Sequence, residues 1–357
     1  MNVPLFYKQK PLLAIDIGSS TVKVVQLKGE RKKVGVSGYG YADFDHSAIE
    51  NGVIVKPELI KKSLKPLLDQ VVIGKLTTDK AVTSIPTSHA YTRVVSLPGV
   101  EGSDLNTAIQ LEAEQYVPLP ADQIYLDHTI ISTPTEKNNE TVAVMVASPK
   151  KIVDSYLDLF DQLGLQVEII EPSLFSIMRA VNHANPSDSA KIIIDFGSDS
   201  SDLAIFDQSV ELTSTVSMGG NHITDIITET LQVDRKKAEE IKARFGIAKS
   251  KYQEKISPAL TPVLSSLAGE VQKMLRYHHD YSKNDNDITE IIIVGGGANL
   301  PGLSKFLTQL TGLEVSTCDP WDNITVKPLQ PPHRLETTLY TTSVGMGLLE
   351  IERSKSL

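Results

Sequence analysis

The apolar positions of this chain come in short runs that end on an acid and a small-residue turn. Leu12 to Gly18 reads LLAIDIG, then comes Ser19-Ser20, and TVKVVQL alternates with period two. The first run has the pattern of a strand buried on both faces and the second of its partner, so the pair predicts a β-hairpin. Ser37 to Phe44 predicts a third strand. From Pro57 to Val72 the residues Leu59, Ile60, Leu64, Leu67 and Leu68 recur at helical spacing; Pro57 suits a first turn and Pro66 a kink or an early end. Lys80 to Ile85 predicts the next strand.

The segment Pro86 to Ala147 has a different texture. A strand, Tyr91 to Leu97, leads to a helix capped by Ser103 or Asp104, which carries Leu105, Ile109 and Leu111 and stops before Pro118 and Pro120. Strands Tyr125 to Ser132 and Thr141 to Ala147 follow, joined by a polar turn, Glu136 to Glu140. This βαββ order predicts an inserted subdomain. Beyond it come a helix, Lys150 to Leu163, ended by Gly164, a strand, Gln166 to Ile170, and a helix, Ser173 to Ala184. The polar stretch Asn185 to Ser189 marks a boundary.

The opening then repeats. IDFGSDSSDLAIF around Asp195 matches IDIGSSTVKVVQL around Asp16: buried strand, Asp, one apolar residue, Gly, Ser, polar turn, second strand. A repeat this long is not a solenoid unit; it predicts two similarly folded halves. Met218-Gly219-Gly220-Asn221 precedes helices from Ile223 to about Ser282, which Gly246, Pro258 and Pro262 divide. ITEIIIVGGGANLPGL then gives a strand, a triple-glycine turn and a helix from Leu303. Thr341 to Glu350 is a small-residue helix with Gly345 and Gly347.

Composition narrows the function classes. The 357 residues carry 35 Lys+Arg against 44 Asp+Glu, a formal charge of −9, which argues against a non-specific nucleic-acid binder. The single cysteine, Cys318, cannot form an internal disulfide or supply a zinc finger, which points to a reducing, cytoplasmic setting. No signal-peptide pattern and no transmembrane run stand out, so membrane contact is expected through a partner. No P-loop, G-x-S-x-G or H-E-x-x-H is present, and Leu300 breaks the dinucleotide fingerprint after the glycines.

What remains is the pair of Asp-x-Gly-Ser hairpins. A tight strand–turn–strand directs consecutive backbone N–H groups into one concavity, which suits phosphate oxygens and needs no lysines. The aspartates at the strand ends, Asp16 and Asp195, would then hold Mg2+ through water. The triple glycine Gly295-Gly296-Gly297 would let a base or ribose approach the backbone. One such hairpin alone reads as a simple turn; two in one chain, followed in order by the IIIVGGG strand, read as a phosphate site. Lys23 either approaches phosphate or snorkels from its hairpin. His278-His279 lacks metal spacing and reads as a solvated helix face, Trp321 as a packed loop anchor, and Cys318 as structural or inert.

The order of these motifs resembles the actin, sugar-kinase and heat-shock-chaperone ATPase superfamily, with its phosphate-1, phosphate-2 and adenosine motifs. The resemblance implies an α/β actin-like ATPase fold, in which two RNase-H-like domains face each other across an ATP cleft. It assigns Gly18, Ser19, Ser20, Thr21 and Lys23 to the first phosphate motif and Gly197, Ser198, Asp199, Ser200 and Gly219 to the second. Ala238-Glu239-Glu240-Ile241-Lys242 resembles the AExxK helix of bacterial actins, which brings Glu239 and Lys242 to the ribose and base. For hydrolysis the candidates to orient water are Glu168 and Glu171, with slow or absent turnover expected.

ENGVIVKPELI, SIPTSHAYTRVVSLPGV, IQLEAEQYVPLP and SMGGNHITDII select a narrower resemblance, to the PilM family of type IV pilus assembly, itself similar to FtsA. It implies an FtsA-type 1C subdomain insertion at residues 86–148. Subdomain 1A would comprise 10–85, 149–190 and 335–352; 2A would comprise 191–226 and 288–334; 2B would comprise 227–287. It further implies ATP and Mg2+ as ligands. As partner it implies the N-terminal cytoplasmic tail of a PilN-type inner-membrane protein, held in a groove between 1A and 1C and contacted by Leu111, Tyr116 and Val117. Self-association and pilus assembly ATPases are further partners it allows. The short polar tail Glu352 to Leu357 lacks the membrane helix of FtsA, and Leu5, Phe6 and Tyr7 offer at most a weak apolar contact. An FtsA-like filament-forming division protein and a small-molecule kinase stay open as alternatives.

Overall fold

The computed structural model describes residues 11–30, 33–100, 102, 104–134, 139–187, 189–207, 209–282 and 286–353. Ser103, Leu5, Phe6, Tyr7, most of the turn expected at Glu136 to Glu140 and the end of the tail lie outside them. The chain forms two units: 1–85 with 154–184 and 320–357, and 86–153 with 185–319.

Unit 1 is built on strands Leu13–Ile17, Thr21–Glu30 and Lys33–Asp43, which pair antiparallel in sequence order. Lys80–Ile85 adds parallel to the first strand, and Gln166–Pro172 adds parallel beyond that. The first strand is central and wholly buried, as its unbroken apolar run requires. Thr83, fully buried, donates its hydroxyl to the Ile15 carbonyl at 2.8 Å and so satisfies its own polar atom. Helices Ser173–Ala184 and Thr341–Arg353 cover one face. They approach so closely that a Cβ on Gly345 would lie 1.8 Å from the Ser176 carbonyl oxygen, and one on Gly347 would lie 2.9 Å from Leu27. The small residues of the last helix are therefore a packing requirement. The predicted helix from Pro57 is α-helical to Pro66 and widens into a π turn over Leu67–Val71, where proline removes an i−4 hydrogen bond.

Residues 320–334, expected with the second half as part of 2A, belong to unit 1. The Trp321 ring packs tilted against Tyr39, centroids 5.2 Å apart, and edge-on against Tyr340, 5.3 Å apart, and Ile324–Thr325 pairs with the third strand at Val34 and Gly35. An aromatic cluster of this kind gains about 0.5–1.5 kcal/mol per ring pair beyond its buried area. Trp321 is thus the packed anchor its sequence suggests, and the core it anchors is that of unit 1, to which it belongs.

Unit 2 repeats the plan. Strands Ala190–Phe196, Ser201–Asp207 and Ser209–Val216 pair antiparallel, then Ile288–Val294 and Glu314–Thr317 add parallel on the far side of the first. Its five-strand order matches that of the corresponding strands in unit 1. Helices Gly220–Leu231, Arg235–Phe245 and Gln253–Tyr281 follow the three-strand meander. Pro258 and Pro262 do not divide the last of these, contrary to expectation; the helix runs unbroken through both. Both prolines sit on the exposed side, where water can take the carbonyls they leave unbonded, while Ile256, Leu260, Leu264 and Leu267 bury the other side.

The insertion folds as a three-strand sheet, Tyr91–Pro98, Glu140–Pro149 and Ile124–Ser132 in spatial order, with helix Asp104–Tyr116 packed on it. Its own core holds Leu97, Leu105, Ile109, Ala113, Val117 and Met145. No described helix is long and apolar enough to cross a membrane.

Candidate functional site

The two hairpins close in the same way. Gly18 N–H donates to the Thr21 carbonyl at 2.9 Å, and Gly197 N–H donates to the Ser200 carbonyl at 3.0 Å. Each closure sets a two-residue turn, Ser19-Ser20 or Ser198-Asp199, at the carboxyl end of a buried central strand. Ligands of open α/β sheets gather at that end.

In the first hairpin Asp16 faces Lys23 across the ladder, and Lys23 Nζ lies 3.1 Å from Asp16 Oδ2 with both side chains nearly buried. Lys23 therefore neither snorkels to solvent nor stands apart; it neutralises Asp16 at the mouth of the turn. The Ser20 carbonyl accepts the Phe44 amide at 2.9 Å, which ties the turn to the end of the third strand. Tyr156, on helix Lys150–Asp161, is wholly buried, and its hydroxyl has no hydrogen-bond partner among the described residues. Burial, and secondarily the charge of Asp16, push its ionisation far above the ordinary tyrosine range. Sequence reading missed this residue because a tyrosine inside an amphipathic helix carries no local signal.

In the second hairpin the turn is stapled to the next helix. Gly220 N–H donates to the Gly197 carbonyl at 3.0 Å, Asn221 N–H to the Ser198 carbonyl at 2.8 Å, and Asn221 Nδ2 to Asp199 Oδ1 at 2.7 Å. A Cβ on Gly219 would lie 2.4 Å from the Ser198 carbonyl oxygen, so only glycine allows the staple. The positive end of helix Gly220–Leu231 is thereby fixed beside the turn, a favourable place for an anion.

The triple glycine meets the same hairpin. Val294 sits beside Asp195 in the parallel register, and the chain leaves the sheet there with Gly295 at φ +82°. A Cβ on Gly295 would lie 2.3 Å from Asp195 Oδ1, and one on Gly297 would lie 1.8 Å from the Phe196 ring. Gly295 to Gly297, Asp195, Gly197 to Ser200 and Gly219 are thus one contiguous constellation. Lys242 joins it indirectly: its Nζ donates to the Gly220 carbonyl at 3.0 Å and to Thr224 Oγ1 at 2.8 Å, and burial lowers its pKa. Glu239 is half-exposed on the same helix, 3.5 Å from Arg235.

The remaining expectations separate. Glu171 is bound bidentately by Arg179 at 2.8 and 3.0 Å and also accepts from Ser176, while Glu168 pairs with Lys80. Arg179 in turn donates to the Gly345 carbonyl at 2.8 Å. Both acids are thus engaged in ion pairs, Glu171 with Arg179 and Glu168 with Lys80. Leu111 is 56% exposed and Tyr116 44% exposed, with the Arg93 guanidinium 4.7 Å over the Tyr116 ring; Val117 is 5% exposed and belongs to the insertion's core. His278 is not on a solvated face: it is buried between Glu211, 2.7 Å from Nδ1, and the Asn286 carbonyl, 2.7 Å from Nε2, whereas His279 is exposed.

Repeated five-strand cores, twin phosphate-type hairpins and a glycine run on the second of them define an actin-like ATPase fold. The family profile of Type IV pilus assembly protein PilM matches residues 14–350, and the chain belongs to that family. A solved PilM-PilN type IV pilus biogenesis complex superposes with a TM-score of 0.81 at 20% identity, covering 96% of this chain and 99% of that one. MreB5 of Spiroplasma citri bound to AMPPNP superposes with a TM-score of 0.57 at 14% identity, covering 98% of both chains. Cell division protein FtsA of Streptococcus pneumoniae is 22% identical over 341 residues, 84% of this chain and 74% of that protein.

Proposed function

We propose that this chain is an ATP-binding assembly factor of the type IV pilus inner-membrane platform, which takes the N-terminal cytoplasmic tail of a PilN-type protein and whose nucleotide state tunes that interaction. The observation that carries the nucleotide part is the identical closure of the two Asp-x-Gly hairpins on matching sheets. A similar fold has been solved with AMPPNP bound, and another in complex with PilN, which supports both ligands.

The donor set fits Mg2+ on a nucleotide. Hard oxygens from Asp195 and the Ser198 and Ser200 hydroxyls lie at the second turn, and Mg2+ prefers one or two carboxylates with waters and phosphate oxygens. Asp16 is neutralised by Lys23, so its part in holding the metal is secondary to that of Asp195. The bound metal would offset the charge of the phosphates. The turn amides and the fixed helix end orient them. With Glu168 and Glu171 held in ion pairs, hydrolysis is slow.

Calorimetric titration with Mg·ATP, repeated on Asp195→Ala, tests the nucleotide site; equal affinities in the two would remove it. Titration with a PilN-type tail peptide tests the partner, and absence of binding with and without ATP would remove that part.

A second reading, self-association, draws on the strand Ile124–Ser132, which is an edge of its three-strand sheet and exposes Tyr125, Ile130 and Ile131. Exposed apolar edges invite pairing with another chain. Sedimentation with and without ATP tests it; a monomer under both conditions would set it aside.

A further inference from the structure

Asp202 is not among the residues assigned above to the second phosphate motif, yet it lies on the hairpin that carries that motif and stands where Lys23 stands in the first. It is the second residue of strand Ser201–Asp207, directly after the Gly197 to Ser200 turn, and faces Asp195 on one side and Thr215 on the other across the ladder. Like charges directly opposite each other in a sheet repel, so an acid here needs another use. Asp202 is buried, with its Oδ1 accepting the Thr215 hydroxyl at 2.6 Å and its carboxylate accepting the backbone N–H of Ser88. Ser88 is the middle residue of the short 3-10 turn Thr87–His89, through which the chain enters the inserted subdomain. The strand that follows, Tyr91–Pro98, lies beside strand Ser209–Val216. Burial raises the Asp202 pKa against the lowering effect of the Thr215 and Ser88 bonds, which marks the carboxylate as held inside protein rather than facing solvent.

We propose that Asp202 is a positioning residue that couples the second phosphate hairpin to the inserted subdomain: a phosphate seated on the Gly197 to Ser200 turn sets the strand bearing Asp202, and Asp202 sets Ser88 and the subdomain that follows it. The inference rests on the reading of this chain as a nucleotide- and tail-binding protein and supplies the route by which one ligand is felt by the other. Coupling of this kind is reciprocal, so ATP alters peptide affinity by the factor with which peptide alters ATP affinity.

The test measures the affinity of the PilN-type tail peptide for the full chain with and without Mg·ATP, together with ATP affinity itself. In the parent chain ATP shifts peptide affinity by about fivefold or more. Asp202→Ala keeps ATP binding and ATP-free peptide binding but loses the shift. Asp202→Asn retains an acceptor oxygen for Ser88 and keeps the shift, which holds the test open if the alanine variant folds poorly. Thr215→Val removes the other bond to the same carboxylate and serves as a destabilised control; it too keeps the shift. A full shift in Asp202→Ala, or its loss in Thr215→Val as well, overturns the link while leaving the proposed function standing. So does a parent chain that binds both ligands with no shift at all. A parent chain that binds neither ligand overturns the proposed function and the link with it.

Discussion

Lys23 and Asp202 stand at the same position of the two hairpins, each facing its repeat's aspartate across the ladder: Lys23 opposite Asp16, Asp202 opposite Asp195. The backbone repeats and the charge does not. One hairpin neutralises its acid; the other sets a second acid beside it and turns that acid toward Ser88.

Asp16→Ala leaves Lys23 buried without its carboxylate. Removing one partner of a buried pair costs about 3–5 kcal/mol, so the single variant melts early in denaturant. Adding Lys23→Met recovers most of that loss while nucleotide binding stays weak. A single variant as stable as the parent would contradict the buried pair. A double variant binding ATP at parental affinity would remove the first hairpin from the site.

Gly297→Ala drives a methyl group into the Phe196 ring, and the ring must move with the strand that holds Asp195. Overpacking of this kind costs about 1–3 kcal/mol. Urea unfolding should show that loss, and nucleotide titration a parallel drop in affinity. Gly269→Ala, where a Cβ would meet nothing within 4 Å and φ is not positive, serves as a control for an added methyl group without a clash and leaves nucleotide affinity at the parental value.

The two acids at the strand before the unit boundary should behave differently from each other and from a catalytic residue. Glu171→Gln weakens the Arg179 tie and lowers stability by about 3 kcal/mol, the scale of a broken buried pair. Glu168→Gln, at a half-exposed pair, costs about 1 kcal/mol or less. Steady-state phosphate release is unchanged in both once measured well below their melting temperatures. A selective loss of turnover in either would restore it as a water-orienting residue.

His278 gives the fold a pH signature. Burial alone would lower its pKa, but the Asn286 carbonyl and the Glu211 carboxylate outweigh burial and raise it above the ordinary value of 6.5. The cationic ring donates to both neighbours. Its contribution is complete below the unfolded pKa and is lost as pH rises through the higher folded value. The parent chain therefore loses more stability than His278→Gln does across the pH window that opens at the unfolded value of about 6.5 and closes above the raised folded one. Parallel melting curves for the two proteins across that window would count against the pair.

On the inserted subdomain, Leu111→Ala and Tyr116→Ala should weaken tail-peptide binding and leave the melting temperature within about a degree or two, since exposed positions rarely carry stability. Val117→Ala should do the reverse, costing about 2 kcal/mol by opening the small core. Peptide titration beside thermal unfolding separates the two kinds of residue. Parental peptide affinity in both surface variants would move the docking site elsewhere.

Most of the fold was legible because its signals are local. Buried runs such as LLAIDIG and KIIIDFG can only be central strands, and helix Ser173–Ala184 falls on its predicted residues. The hairpins and the glycine run announced themselves as a repeat and as a departure from side-chain-rich sequence. Residues whose meaning is set by distant neighbours stayed hidden. Nothing near Trp321 shows that Tyr39 and Tyr340 receive it. Nothing near Tyr156 points to Asp16, and a pair of adjacent histidines gives no hint that one is inside. Asp202 was within reach: aligning the repeat places it where Lys23 stands, and that exchange of charge was the available clue.

Unit 1 opens with the strands of residues 13–43 and closes with helix Thr341–Arg353, which packs on helix Ser173–Ala184 and on strand Thr21–Glu30. Order of synthesis and order of completion therefore run against each other. The ribosome makes the first hairpin early, yet its covering helix emerges after every residue of unit 2. Unit 2 can mature while the earlier sheet still waits with an uncovered apolar face, a species prone to association. A nascent chain halted near residue 320 would be a client for chaperones, and only release of the final helix would end that dependence.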